Sequence, residues 1–223
     1  MFRSNPYIIA EIGVNHEGSL EKARELIDLA KEGGAHAAKF QSYKADTIAS
    51  IDSPAYWDKS VNPIRNQHEL FKKYDTFGKD EYIKLYEHCK KVKIDFASTP
   101  FDDYSVDYLE NLVPFYKISS SDITNIPFIR RIANKQKPIL LSTGASNIKE
   151  ISHALNEIRN ITSSKVCLMH CILSYPTEYV DANLEMILGL KEVFNDVVLG
   201  YSDHTVPDNG MLILTLAYLK GAS

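Results

Sequence analysis

Short runs rich in β-branched and aromatic residues recur seven times along the chain, and that recurrence limits its folds more than any other feature. The runs are YIIAEIG from Tyr7, AHAAKFQ from Ala35, IDFASTP from Ile94, FYKISSS from Phe115, PILLSTG from Pro138, VCLMHCIL from Val166 and VVLGYSD from Val197. Helical patterns separate them. In SLEKARELIDLAKEGG, Ser19 is placed to cap the first turn, Leu20, Ala23, Leu26, Ile27 and Ala30 form an apolar stripe, and Gly33 and Gly34 stop the helix. KDEYIKLYEHCKKVK, NIKEISHALNEIRNI, LEMILGLKEVF and NGMLILTLAYLKG follow the same logic. Alternating apolar strands and helices imply an α/β fold with parallel strands covered by helices. Seven units exceed most doubly wound sheets and fall one short of a (β/α)8 TIM barrel. One irregular insertion, from about Ala45 to Thr76, interrupts the pattern and is a candidate functional loop.

The chain has 223 residues, 44% hydrophobic and 24% charged, enough for a large core and one domain spanning 1–223. Net charge is -4 with both signs interspersed, so no basic stripe invites nucleic acid. An anionic ligand has to be captured locally. Three cysteines (Cys89, Cys167, Cys171) make no disulfide framework, the first six residues lack the apolar core of a signal peptide, and Met211–Leu219 is too short to span a bilayer. The expectation is a cytoplasmic protein without membrane contact.

Polar residues gather at the C-terminal ends of the strand segments: Glu11; Lys39 with Gln41; Ser98 with Thr99; Lys117 with Ser119 to Ser121; Ser142 with Thr143; Tyr175; and Ser202 to His204. A single strand-end hydroxyl is ordinarily a cap or turn residue. Seven strands sharing the habit point to the rim on which barrel enzymes build their sites. Lys39 and Lys117 lie within apolar runs; together with hydroxyls and Gly144 they suit a phosphate. Glu11 is expected either to pair with a lysine or to act as an acid/base, since a lone carboxylate inside a strand is costly. His204 and His16 are each candidate metal ligands or ordinary structural histidines. Cys167 and Cys171, four residues apart on one strand, read as core.

The motifs EIGVNHEGS, AAKFQ, FASTPFD, YKISSSDITNIPFI, ILLSTGASN, HCILSYPT and GYSDHT, in that order, closely resemble the sialic acid synthase family, over nearly the whole chain from about Tyr7. Members condense phosphoenolpyruvate with an N-acylated amino-hexose such as N-acetylmannosamine, and include N-acetylneuraminate, legionaminate and pseudaminate synthases. By position, the resemblance implies a phosphoenolpyruvate site of Lys39, Thr99, Lys117, Ser120, Ser142 and Ser202, and a sugar side of Glu11, Gln41, Asn62, Asp122 and Tyr175. Glu11 is the implied catalytic acid/base. His204 is implied as one of two histidines holding a divalent ion, typically manganese. Asp122 stands where some members carry Glu, and Leu173 where some carry a polar residue; both departures fall on the sugar side. The family continues with an eighth strand bearing the second metal histidine and a small antifreeze-like domain, and its full-length members form homodimers. This chain therefore reads as a barrel without its last βα unit, expected to be less stable or prone to edge-mediated association in isolation. Two other readings remain: a Schiff-base aldolase using Lys39 or Lys117, and a non-catalytic sugar or phosphate binder.

Overall fold

In the computed structural model, which describes residues 5–60 and 62–223, every one of the seven runs contains a strand. The described residues form two compact units, Ile8–Pro114 and residues 115–223 with residues 5–7.

The Ile8–Pro114 unit runs β1 (Ile9–Gly13), α1 (Leu20–Glu32), β2 (Ala37–Ser42), α2 (Ala45–Ile48), α3 (Gln67–Tyr74), α4 (Lys79–Val92), β3 (Asp95–Pro100) and α5 (Asp103–Leu109). Its sheet is parallel in the order β1-β2-β3. The Ser19 hydroxyl accepts the Lys22 amide at 3.2 Å and starts α1, and Gly34 turns the chain at φ 84° after its last residue. Ala23 and Ile27 of that helix are fully buried, as are Phe40 and Leu85, and Phe40 stacks on Phe96 at 5.7 Å. Each of the large aliphatic side chains here contributes roughly 1.5–3 kcal/mol by leaving water.

The insertion is more ordered than its composition suggests. Both of its ends are helical, at α2 and α3, and α3 begins where the Asn66 side chain accepts the Glu69 amide at 2.8 Å. Asp75 staples those ends together: its carboxylate accepts the Ala45 amide at 2.9 Å and the Lys44 ammonium at 2.6 Å. Asp102, which caps α5 through the Ser105 amide, also accepts the Lys44 amide at 2.9 Å.

The second unit runs β4 (Tyr116–Ile118), α6 (Ile126–Ala133), β5 (Ile139–Ser142), α7 (Ile148–Arg159), β6 (Val166–His170), α8 (Glu185–Val193), β7 (Val198–Tyr201) and α9 (Leu212–Leu219). Short 3-10 turns lie at Ser120–Asp122 and Tyr179–Ala182. Its four strands are parallel in the order β4-β5-β6-β7. Asn147 opens α7 with a reciprocal capping arrangement, accepting the Glu150 amide while Glu150 accepts that of Asn147. Period-two burial sorts the strands: Tyr116, Ile118, Ile139, Leu141 and Leu168 are fully buried, whereas Lys117, Cys167 and Met169 take the other face. Cys167 is only partly buried, because the Gly200 position beside it in β7 has no side chain to cover it. The reading of Cys167 as core is corrected to that extent; Cys171 is buried as expected.

Seven βα units with strands parallel in both sheets follow the α/β order of a (β/α)8 barrel as far as its seventh unit. No helix among the described residues is long and apolar enough to cross a membrane.

Candidate active site

In the first unit, register places the key side chains. Glu11 is paired with Lys39 across β1 and β2, and Gln41 with Thr99 across β2 and β3, so these residues share one sheet face. The Lys39 ammonium is ion-paired to Glu11 Oε2 and donates to Thr99 Oγ1 at 3.1 Å. Lys39 and Thr99 are buried, while the Glu11 side chain keeps 49% of its surface exposed. A Cβ placed on Gly13 would come within 3.2 Å of Glu11 Oε1 and 3.6 Å of Gln41 Nε2, which shows both groups converging beside that glycine. Glu11 is thus lysine-paired through Oε2, with its second oxygen beside Gly13, a pairing that leaves an acid/base role open.

Hydroxyls at the other strand ends divide into two kinds. Ser98 bonds Ser42 at 2.7 Å, both fully buried on the opposite face, and Thr143 donates to the Met169 carbonyl; these serve the fold. Ser142 instead accepts from the Lys117 ammonium at 2.6 Å, in a buried pair that repeats the Lys39–Thr99 arrangement within the second unit. Ser120 follows at the 3-10 turn after β4 and is close to Gly144, where an added Cβ would lie 3.1 Å from its Oγ. Burial raises the pKa of the Asp122 carboxyl, against hydrogen bonds from Asn125 and Ser121 that lower it.

The segment after β7 presents one imidazole. Asp203 spends its carboxylate on the Thr205 amide, the Thr205 hydroxyl and the Tyr201 hydroxyl, and so folds the turn. The His204 carbonyl accepts the Thr177 amide at 2.8 Å, and Tyr175 lies over the His204 ring with centroids 4.1 Å apart. His204 Nδ1 is hydrogen-bonded to the Ile172 carbonyl, so it carries a proton and the lone pair of the neutral ring lies on Nε2. That is how a backbone carbonyl orients a metal-binding histidine.

The NeuB family pattern matches residues 26–223. The chain belongs to the NeuB family. It is 39% identical to an N,N'-diacetyllegionaminic acid synthase of Legionella pneumophila, over 97% of this chain and 61% of the relative. It is 37% identical to an N-acetylneuraminate-9-phosphate synthase of Drosophila melanogaster, over 97% of this chain and 58% of the relative. A crystal structure of an N-acetylneuraminic acid synthetase from Leptospira borgpetersenii serovar Hardjo-bovis, in complex with citrate, superposes with a TM-score of 0.85 at 35% identity, covering 98% of this chain and 71% of that one. The chain thus spans about three-fifths of the length of these curated relatives.

Within this NeuB-family chain, Glu11, Lys39, Gln41 and Thr99 gather in the first unit, whereas Lys117, Ser120, Ser142, Asp122, Tyr175, Ser202 and His204 belong to the second. Ser202 is held by its own amide on the His170 carbonyl at 2.8 Å. Asn62 lies in the insertion, where its side-chain oxygen accepts the Ile64 amide and its carbonyl accepts the Trp57 indole N–H at 3.1 Å. No group of three or more His, Cys, Asp or Glu among the described residues could hold a metal. The donor chemistry of His204 fits a divalent ion, as a single ligand. His16 is not part of such a group: its ring is buried against Phe77. Sequence reasoning missed the Lys44–Asp75–Asp102 staple, because its contacts join residues 31 and 58 positions apart and leave no local pattern.

Proposed function

We propose that this chain carries the phosphoenolpyruvate-condensing part of a sialic-acid-type synthase, which joins phosphoenolpyruvate to an N-acylated amino-hexose in its open aldehyde form and releases phosphate. One observation carries the reading: in a NeuB-family chain, two buried lysines within strands each hold a hydroxyl in the same way, Lys39 with Thr99 and Lys117 with Ser142. Ammonium and hydroxyl donors fixed together suit the phosphate and carboxylate of phosphoenolpyruvate, and cost little reorganisation when the ligand arrives. Ser120 and Ser202 complete that donor set.

The chemistry then follows from charge and proton flow. The enol carbon of phosphoenolpyruvate bonds to the sugar's aldehyde carbon, and the aldehyde oxygen takes a proton. Positive charge develops at the phosphate-bearing carbon. Water adds there, and Glu11, held by Lys39 through Oε2 with Oε1 beside Gly13, receives its proton. Collapse of that tetrahedral carbon breaks the bond to phosphate and leaves a ketone. Gln41, Asn62, Asp122 and Tyr175 are assigned to the sugar, where hydroxyl and N-acyl groups need amide, carboxyl and phenol partners. A divalent ion, manganese in this reading, would be held at His204 Nε2 and supply Lewis-acid polarisation of the sugar carbonyl.

Glu11→Gln is the test. Phosphoenolpyruvate binding by calorimetry should remain measurable while phosphate release with a panel of N-acyl hexosamines disappears; turnover by that variant would overturn the assignment. Borohydride treatment with a carbonyl substrate should trap no adduct on Lys39 or Lys117, since this reaction forms no imine.

A further inference from the structure

His16 is an almost completely buried imidazole of the first unit, at 1% exposure, and the reaction outlined above does not use it. It lies five residues after Glu11, in a turn with unusual backbone: Gly13, Glu17 and Gly18 all have positive φ, at 55°, 51° and 82°. Such a turn persists only where its surroundings over-determine it. Three contacts do so. His16 stacks flat on Phe77, centroids 4.0 Å apart and planes 8° from parallel, and tilts against Phe40 of β2, the residue between Lys39 and Gln41. Its Nδ1 accepts the Gly18 amide at 3.1 Å. Gly18 in turn is so close to Thr76 that an added Cβ would meet that side chain at 3.0 Å. Thr76 and Phe77 follow directly on Asp75, the residue that staples the insertion, and the Phe77 carbonyl accepts the Lys44 ammonium at 3.2 Å.

We infer that His16 is a positioning residue: its neutral ring, with Nδ1 as acceptor for Gly18, locks the turn after β1 onto the base of the insertion and so holds Glu11 in place. The proton of the neutral ring sits on Nε2, which is buried without a hydrogen-bond partner. Leaving that donor unpaired is a cost, and the compensation lies at Nδ1 and in the stack. A protonated ring would turn Nδ1 into a donor facing the Gly18 donor. Burial, followed by the nearby Lys22 charge, lowers the His16 pKa to about 4 and keeps the acceptor in place at neutral pH.

The catalytic consequence rests on the proposed function, and the structural one does not, so two readouts are needed. His16→Phe keeps a ring for the stack and removes the acceptor. His16→Asn supplies an oxygen that can accept the amide two residues on, as Asx turns do. In hydrogen exchange, amides of residues 13–20 should exchange about tenfold faster in His16→Phe and return toward wild type in His16→Asn, because one hydrogen bond of this kind is at stake. In the phosphate-release assay, kcat should fall about tenfold in His16→Phe with KM for phosphoenolpyruvate within about twofold, and His16→Asn should recover most of it. Unchanged exchange in His16→Phe, or a His16→Asn variant as loose as His16→Phe, would overturn the inference. If His16→Phe does not fold, His16→Asn decides: protected amides support the inference and loosened ones overturn it. A wild-type chain without phosphate release counts against the proposed function alone, and exchange still decides the role of His16.

Discussion

Single side chains set two measurable properties. The His16 pKa of about 4 in the folded chain stands against 6.5 in an ordinary peptide. Between those values the unfolded chain binds a proton that the folded ring refuses, so stability is full above pH 6.5 and declines as pH falls toward 4. The gap corresponds to roughly 3 kcal/mol in all, of which about 2 kcal/mol is lost by pH 5. Urea melts at pH 7 and pH 5 should show that loss in the wild type and not in His16→Phe, since the other titrating groups are common to both. Gly144 sets the second property: a Cβ there would sit 2.8 Å from Cys171 Sγ, 3.1 Å from Ser120 Oγ and 3.2 Å from Leu173 Cδ2. Gly144→Ala should cost about 1–3 kcal/mol by overpacking, and adding Cys171→Ala should recover part of it in thermal melts. At this scale the sequence was partly readable. The inward lysines stood out because charge is rare in apolar runs. Which hydroxyls they would hold did not, because Ser98 and Thr99 are neighbours in sequence and face opposite ways, one to Ser42 and the other to Lys39.

Elements were legible wherever periodicity had room to show. Six of the seven strands and the long helices α1, α4 and α7 lie within the runs that pattern predicts, and β2 runs one residue past its own, to Ser42. Four short helices were not readable: α2, α3, α5 and α6 have 4, 8, 7 and 8 residues, too few for a 3.6-residue repeat to declare itself, whereas α9, also 8 residues, stood out by its nearly unbroken apolar run. Their caps, Asn66, Asp102 and Asn125, are ordinary turn residues until a helix is seen to follow. The insertion illustrates why this matters. Its irregular part runs between α2 and α3, and one carboxylate ties the two ends. Asp75→Ala removes acceptors for both the Ala45 amide and the Lys44 ammonium. Limited proteolysis should then cut between residues 49 and 66 markedly faster than in wild type, with the global melting temperature lowered by only a few degrees. Equal cleavage rates would show that the staple does not control the loop.

At the scale of the whole molecule, the residues assigned to phosphoenolpyruvate are divided between the two units, and their number made the motif order more informative than any one of them. The ordered motifs pointed to a family that residues 26–223 match. The proposed reaction assigns both Lys39 and Lys117 to phosphoenolpyruvate. A double-mutant cycle measures this directly. Lys39→Met and Lys117→Met keep most of the side-chain volume while removing charge, and each should weaken phosphoenolpyruvate binding by about 1.5–3 kcal/mol, the range for hydrogen bonds to charged groups. Lysines acting on separate ligands would give losses that add to within about 0.5 kcal/mol. Lysines neutralising one trianion are coupled through it, because removing the first leaves the anion short of charge and changes what the second contributes. Calorimetry on the two single variants and the double variant should therefore show non-additivity beyond about 0.5 kcal/mol. Strict additivity would separate the two lysine–hydroxyl pairs functionally and remove the observation on which the proposed synthase reaction rests.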